Sequence, residues 1–400
     1  MNKQKTVVVV GGGPAGLMAA WVLATHFEVH LFEKEKMLGQ KFLLAGKGGF
    51  NLTNKITGNE LRSKYSPVGF LDKALAGFDS LAFREWLQLL GIPTYEGSSG
   101  RVFPEKGISP AQVLKTITDS ILSRGVHIHL KHKLVSFNSE MEFCFSNSDG
   151  EFFKKADFAL LALGGASWPS TGSDGEWVKI FSENNIQTLD FEPSNCGLNI
   201  SWPDAVKLYH TGKPLKNISI SINDQASRGE ALITEYGLEG NAIYPIIPHV
   251  RNSLKSGNKP YICLDFKPTL SYEQLISKTL GKPTKPTNYS RLFSLNAPTM
   301  AIIKAFTDKE TFLNPASFAE SIKQISIPVH ALRPVDEAIS SVGGLDLSEI
   351  NPDFSLKKFS EIFAIGEMLD WDAPTGGFLL QGSFSMGNFA ARQILNRENQ

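Results

Sequence analysis

Three glycines at fixed spacing, Gly11-x-Gly13-x-x-Gly16, and one acid, Glu33, are the first residues here whose types and spacing suit chemistry. A tight turn at Gly11 and a bare backbone at Gly13 can bring amides up to an anion. Gly16 lets a following helix pack closely on a preceding strand. An acid placed as Glu33 is accepts from sugar hydroxyls. Further glycine groups follow. AGKGGFNLTN, Ala45 to Asn54, offers Gly46, Gly48 and Gly49 ahead of Asn51 and Thr53. FAIGEMLDWDAPTGGF carries Gly366-Glu367 and Gly376-Gly377. One loop suffices for a phosphate. A second, able to lay amides along a flat ring with Asn51 and Thr53 at its polar edge, suits a ligand with two unlike halves.

The elements that must position these residues are legible. TVVVV, Thr6 to Val10, reads as a strand buried on both faces. AGLMAAWVLA follows as a helix, and VHLFEK, Val29 to Lys34, as a second strand carrying Glu33. Strand, glycine turn, helix, strand, acid is the order of the dinucleotide fingerprint. An acid at that strand end disfavours a 2′-phosphate, which leaves FAD or NAD. Ile362 to Ile365 reads as a strand running into Gly366-Glu367, with a small-residue helix after Gly377. There an acid would take ribitol hydroxyls, and helix amides would face a pyrimidine carbonyl. FALLALGGAS, Phe158 to Ser167, is a buried strand broken near Gly164, where backbone would pass the ADP half. Each segment alone could be α/β scaffolding, and the second loop a surface hairpin. The four together favour FAD.

The chain resembles the BaiN/YhiN-type NAD(P)/FAD-dependent oxidoreductases, a set of bacterial flavoproteins, nearly end to end. The resemblance rests on GGGPAGLMAA, KFLLAGKGGFNLTN, SSGRVFPEKG, LALGGASWPSTGSDG, EAISSVGGL and FAIGEMLDWDAPTGGFLLQGSFSMGNFAA. It implies FAD contacts from Gly11, Gly13, Ala15, Gly16, Glu33, Lys41, Gly46, Asn51, Gly164, Gly366, Glu367, Gly377 and Phe378. Pro14 and Lys34 beside them complete that edge of the candidate set, and Leu134-Val135 is placed beside the adenine. Many relatives read Gly-Arg-Cys-Asn in the second loop. This chain has Gly49-Phe50-Asn51, so no thiol or guanidinium acts there.

The expected fold is α/β: a Rossmann-like FAD-binding domain, mostly parallel sheet with flanking helices, over residues 1–189 and 333–400. Residues 190–332 read as an inserted β-barrel-like plus helical domain for substrate or as a cap. NISISI and PYICLDF are strand-like there, and LSYEQLISKTL, MAIIKAFTD and PASFAESIKQI are amphipathic. Forty Lys and Arg balance forty Asp and Glu, so no global field points to nucleic acid or an anionic membrane. SKTLGKPTKPTNYSR, Ser277 to Arg291, has four basic residues and no acid, and reads as a solvated proline loop or an RNA- or phosphate-binding edge. Cys144, Cys196 and Cys263 form no CxxC pair, which suits a reducing, cytoplasmic setting without a dithiol relay. No apolar run reaches membrane-spanning length, and the N-terminal run is too short for a signal peptide.

HIHLKH puts His127 and His129 on one strand face with His132 nearby. Too few ligands converge for a metal, so we read a strand surface. Arg101 is a candidate clamp for an anionic substrate or a turn residue. Asp370 and Asp372 are candidate proton relays or orienters of the glycine turn. No Ser/His/Asp or HExxH pattern occurs, so no catalytic residue is assigned and the chemistry would be the cofactor's. No second GxGxxG unit is present, so NAD(P)H would dock transiently as reductant. The resemblance implies hydride transfer from reduced flavin to an activated C=C, on a small-molecule substrate or, in dihydrouridine synthesis, on ribosomal RNA. Neutral charge argues against RNA. A flavin-binding regulatory protein without turnover is the rival, and a monomer is compatible with all three.

Overall fold

A computed structural model describes residues 4–44, 50–279 and 285–398. The chain divides into two compact units: Met1–Glu192 with Ile339–Gln400, and Pro193–Ala338. Each has its own apolar core.

The first unit is built on five parallel strands: β1 (Thr6–Val10), β2 (Glu28–Glu33), β3 (His127–Leu130), β4 (Phe158–Leu161) and β5 (Ile362–Ala364). Their spatial order is β5-β4-β1-β2-β3. The valines of β1 are buried on both faces, which is why that strand is apolar without alternation. Val10 stands opposite Phe32 of β2 and Leu161 of β4, and Leu161 opposite Ala364 of β5. That register brings Gly11, Glu33, Ala162 and Gly366 out at one carboxyl edge, where open α/β sheets bind ligands.

Helix α1 (Pro14–Leu23) is apolar almost all round because it is buried almost all round. Helix α2 (Phe378–Glu398) crosses it so closely that a Cβ on Gly387 would lie 2.3 Å from the Ala15 carbonyl oxygen. Two three-stranded antiparallel sheets also belong to the unit. One pairs Thr53–Asn54 with Arg101–Pro104, which in turn pairs with Thr94–Glu96. The other joins Lys133–Phe137, Glu142–Asn147 and Gly150–Lys155, and packs on β2 through Phe145, stacked 3.9 Å from Phe32.

The second unit carries a seven-stranded sheet. Its order runs Ile325–Pro328, Tyr261–Asp265, Pro214–Ile222, Gln225–Ile233, Gly237–Glu239, Leu198–Asn199, Ala331–Leu332, with antiparallel pairings. The first and last strands belong to one stretch, 325–332. Val329 N donates to Pro260 O at one side and His330 N to Asn199 O at the other. A single passing strand therefore curls both edges toward each other, which hides the edge groups as a barrel does. Ala297–Phe306 and Pro315–Lys323 are among its helices, and Tyr289, Phe293 and Phe318 are fully buried in its core. No described helix is long and apolar enough to cross a membrane.

Candidate functional site

β1 ends into a turn that only glycine can make. Gly11 has φ +104°, donates to Phe32 O at 2.8 Å, and a Cβ on it would lie 2.1 Å from Ala162 O. Gly16 is as constrained: its Cβ would stand 2.0 Å from Gly11 O, so helix and turn touch through backbone. Gly13 differs, because nothing lies within 4 Å of a Cβ placed there. It caps α1 in an extended conformation, with Pro14 at the first helical position, no side-chain cap and no acid in the first turn. The first turn of α1 thus carries no side-chain cap and no acid, a favourable helix end for an anion. Ala15, just inside the helix, would be 3.1 Å from a Cβ on Gly366, whose φ is +84°.

Glu33 closes this loop. Its Oε2 accepts from Gly12 N at 2.7 Å and its Oε1 from Glu35 N at 2.9 Å. Burial pushes its carboxyl above the usual range, against the pull of those two amides. Those two bonds use two of its roughly four acceptor positions. Lys34 points elsewhere and pairs with Asp174 at 2.7 Å. Gly164, at φ +75°, passes its carbonyl to Trp177 Nε1 at 2.9 Å. Val135 sits half-buried at the register shift between Leu134 and Ser136.

A polar knot joins four distant segments. Lys41 Nζ reaches both oxygens of Glu367, at 2.8 and 2.6 Å, and donates to Ser167 Oγ at 2.6 Å. Ser341 N donates to Glu367 Oε1 at 3.1 Å, while Ser341 Oγ accepts from Ala166 N at 2.9 Å. A Cβ on Gly165 would lie 2.1 Å from Ser341 Oγ, so glycine is needed there for close approach. The hydroxyls of Ser167, Ser173 and Ser341 carry no spacing signal in the sequence.

Residues 45–49, with the expected contact Gly46, lie outside the described residues. The polar end of that loop is described. Asn51 is half-buried. Thr53 lies against Gly377, whose Cβ would be 2.4 Å from the Thr53 carbonyl carbon. Thr53 Oγ1 donates to Gln381 Oε1 at 2.6 Å, and Asn54 Nδ2 to Gly376 O at 3.3 Å. Gly376 and Gly377 have φ +119° and +96° and deliver Phe378 into α2. Tyr65, its phenol pKa pushed up by burial, donates to Phe378 O at 2.9 Å. Arg101 Nε stands 3.9 Å from the Cβ position of Gly376. Asp370 Oδ1 accepts from Gly343 N at 2.9 Å, an orienting bond for a glycine turn.

A parallel sheet with a glycine turn at its carboxyl edge, an open helix end and an acid on the neighbouring strand defines a dinucleotide-binding α/β protein. The chain belongs to the HI0933-like family: the HI0933-like protein Rossmann domain matches residues 5–393. This is a family of flavin-dependent oxidoreductases. The chain is 24% identical to the 3-dehydro-bile acid delta(4,6)-reductase of Clostridium scindens, across 97% of this chain and 98% of that protein. It is 21% identical to the ribosomal RNA dihydrouridine synthase of Haemophilus influenzae, across 98% of this chain and 99% of that one. Its fold is similar to an open-form flavocytochrome c3 fumarate reductase, with TM-score 0.50, 15% identity, and 100% and 79% of the two chains covered. It is equally similar to the 3-ketosteroid-delta4-(5alpha)-dehydrogenase of Rhodococcus jostii, with TM-score 0.50, 14% identity, and 98% and 96% covered.

Proposed function

We propose that this chain holds FAD along the carboxyl edge of the parallel sheet and uses it to reduce an activated C=C of a small molecule. The observation that supports the reading most is the convergence of glycine-bearing turns on one edge: Gly11 and Gly16 packed on backbone, Gly13 with nothing around its Cβ position, and Gly366 against Ala15. Amides of Gly13, Ala15 and Gly16 would take the pyrophosphate, and the remaining acceptor positions of Glu33 the adenosine ribose. Lys41 and Glu367 would face the ribitol, and the α2 end after Gly377 the pyrimidine carbonyls. Bound flavin supplies the hydride, recharged by transient NADH or NADPH. The chain's part is to orient the alkene, exclude water and deliver a proton opposite the hydride.

Reduction at delta(4,6) in one relative and formation of dihydrouridine in the other share addition of hydride and proton across C=C. That shared step supports the reaction type. The balanced charge of the chain favours a small conjugated enone over RNA. The purified protein should be yellow and release FAD on denaturation. NADH or NADPH should bleach it anaerobically, and a conjugated enone should restore the colour. Release of FMN or NAD in place of FAD would overturn the cofactor. Reoxidation by uridine-containing RNA alone would move the substrate to RNA. A flavin that neither nucleotide bleaches would mark a regulatory protein.

A further inference from the structure

At the amino-terminal end of β2 and β3, away from the carboxyl edge, Glu28, His30 and His127 share one face of the sheet. His30 is registered opposite His127, and Glu28 lies two residues before His30 on the same side. A carboxylate oxygen of Glu28 and a ring nitrogen from each histidine lie within 4.8 Å of one another. We infer that these three residues form a site for a divalent transition-metal ion of the zinc class, with solvent completing the coordination.

The hydrogen bonds around His30 carry the argument. Its Nε2 meets Glu28 Oε1 and Lys154 Nζ, each at 3.0 Å. One ring proton can answer only one of them. A protonated Nε2 suits the carboxylate and opposes the ammonium, and a bare Nε2 does the reverse. A metal ion in place of the ammonium satisfies bare Nε2 and carboxylate together. His30 Nδ1 then carries the proton and donates to His129 Nε2, 3.0 Å away. That is the outer bond which fixes tautomer and ring in metal-bound histidines. His129 is itself held between Phe32, at 4.4 Å, and His30, at 5.2 Å. Lys154 thus occupies the cation's place as a tethered ammonium.

Ligand atoms on a tetrahedral zinc stand roughly 3.3–3.5 Å apart. The Glu28–His30 pair is already near that separation, and His127, exposed and stacked 4.7 Å from His30, has room to turn inward. Two imidazoles and one carboxylate are a donor set for zinc, nickel or copper rather than calcium or magnesium. A bound ion would clip the edge strand β3 to β2.

The test is calorimetric titration of the chelator-treated, full-length holoprotein with zinc chloride. About one equivalent should bind, with a rise in melting temperature. Glu28→Gln and His127→Gln should each weaken binding by about tenfold or more. Lys154→Met, which removes the competing ammonium, should tighten it. A copper adduct should show hyperfine coupling to two ring nitrogens. Absence of binding at a hundredfold excess would overturn the proposal, as would affinity unchanged in Glu28→Gln and His127→Gln, which would mean an adventitious ion only. Should His127→Gln fail to fold, Glu28→Gln and Lys154→Met still decide, because their expected effects have opposite signs.

Discussion

Glu367→Ala tests whether the Lys41–Glu367 pair belongs to the cofactor site. The substitution removes both oxygens that Lys41 Nζ grips at 2.8 and 2.6 Å and the acceptor of Ser341 N. A charge-assisted hydrogen bond contributes about 1.5–3 kcal/mol. A bond of this kind from a ribitol hydroxyl to Glu367 would be lost with the carboxylate, and the 18% exposure of that side chain puts it at the lower end of the range. About 1.5 kcal/mol corresponds to a factor of about ten in affinity. Titrating deflavinated protein with FAD should therefore show roughly tenfold weaker binding for Glu367→Ala and a smaller loss for Glu367→Gln, which keeps one acceptor. Lys41→Met should cost about as much as Glu367→Ala. The double variant Lys41→Met/Glu367→Ala should cost little more than either, because groups acting as one pair are not additive. Wild-type affinity in Glu367→Ala, or fully additive losses in the double variant, would refute the reasoning.

The glycines of the first loop should separate folding from binding. Gly13→Val meets open space and should fold with wild-type urea stability while losing FAD. Gly16→Ala drives a Cβ to 2.0 Å from Gly11 O and should lower stability by about 1–3 kcal/mol in the same melts. Glu33 gives a pH signature. Burial raises its folded pKa above the usual 4.5, so the folded state keeps a proton that the unfolded chain has lost. Stability from this group is present below 4.5 and declines as pH rises through the raised folded value. Relative to Glu33→Gln, the deflavinated protein should lose stability across that window. A difference between the two proteins that does not vary with pH would contradict it.

What the sequence made legible is what is local. β1, α1 and β2 follow from an apolar run, a glycine spacing and an acid within one short βαβ unit, and each lies where the pattern puts it. Glu367 is legible from a strand running into Gly-acid and Lys41 through family resemblance, but their pairing is legible from neither, because the two come together only through the order of five strands. Ser167, Ser173 and Ser341 were invisible, since a serine carries the same letter whether it binds a lysine or faces water. The side chains that gather beside HIHLKH are distant in sequence for a related reason. HIHLKH alone lacks ligands, and Glu28 and His30 arrive only when β2 and β3 pair in parallel register. The curled sheet of the second unit likewise depends on one stretch, 325–332, serving two edges, which no window of residues reveals.

The backbone contact between Ala15 and Gly387 constrains how the protein is made. β1 and its glycine turn leave the ribosome early, but β4 can gain its outer neighbour β5 only after Ile362 has emerged, and α1 its cover only after α2. Until then α1, apolar almost all round, has one flank bare, and the Pro193–Ala338 unit, with its own core, has time to fold first. The nascent chain must therefore carry an unfinished, sticky half-site until β5 and α2 have been made. Such long-range pairing folds slowly and exposes apolar surface while it waits. Chaperone supply during translation should govern its yield more than the stability of the finished fold.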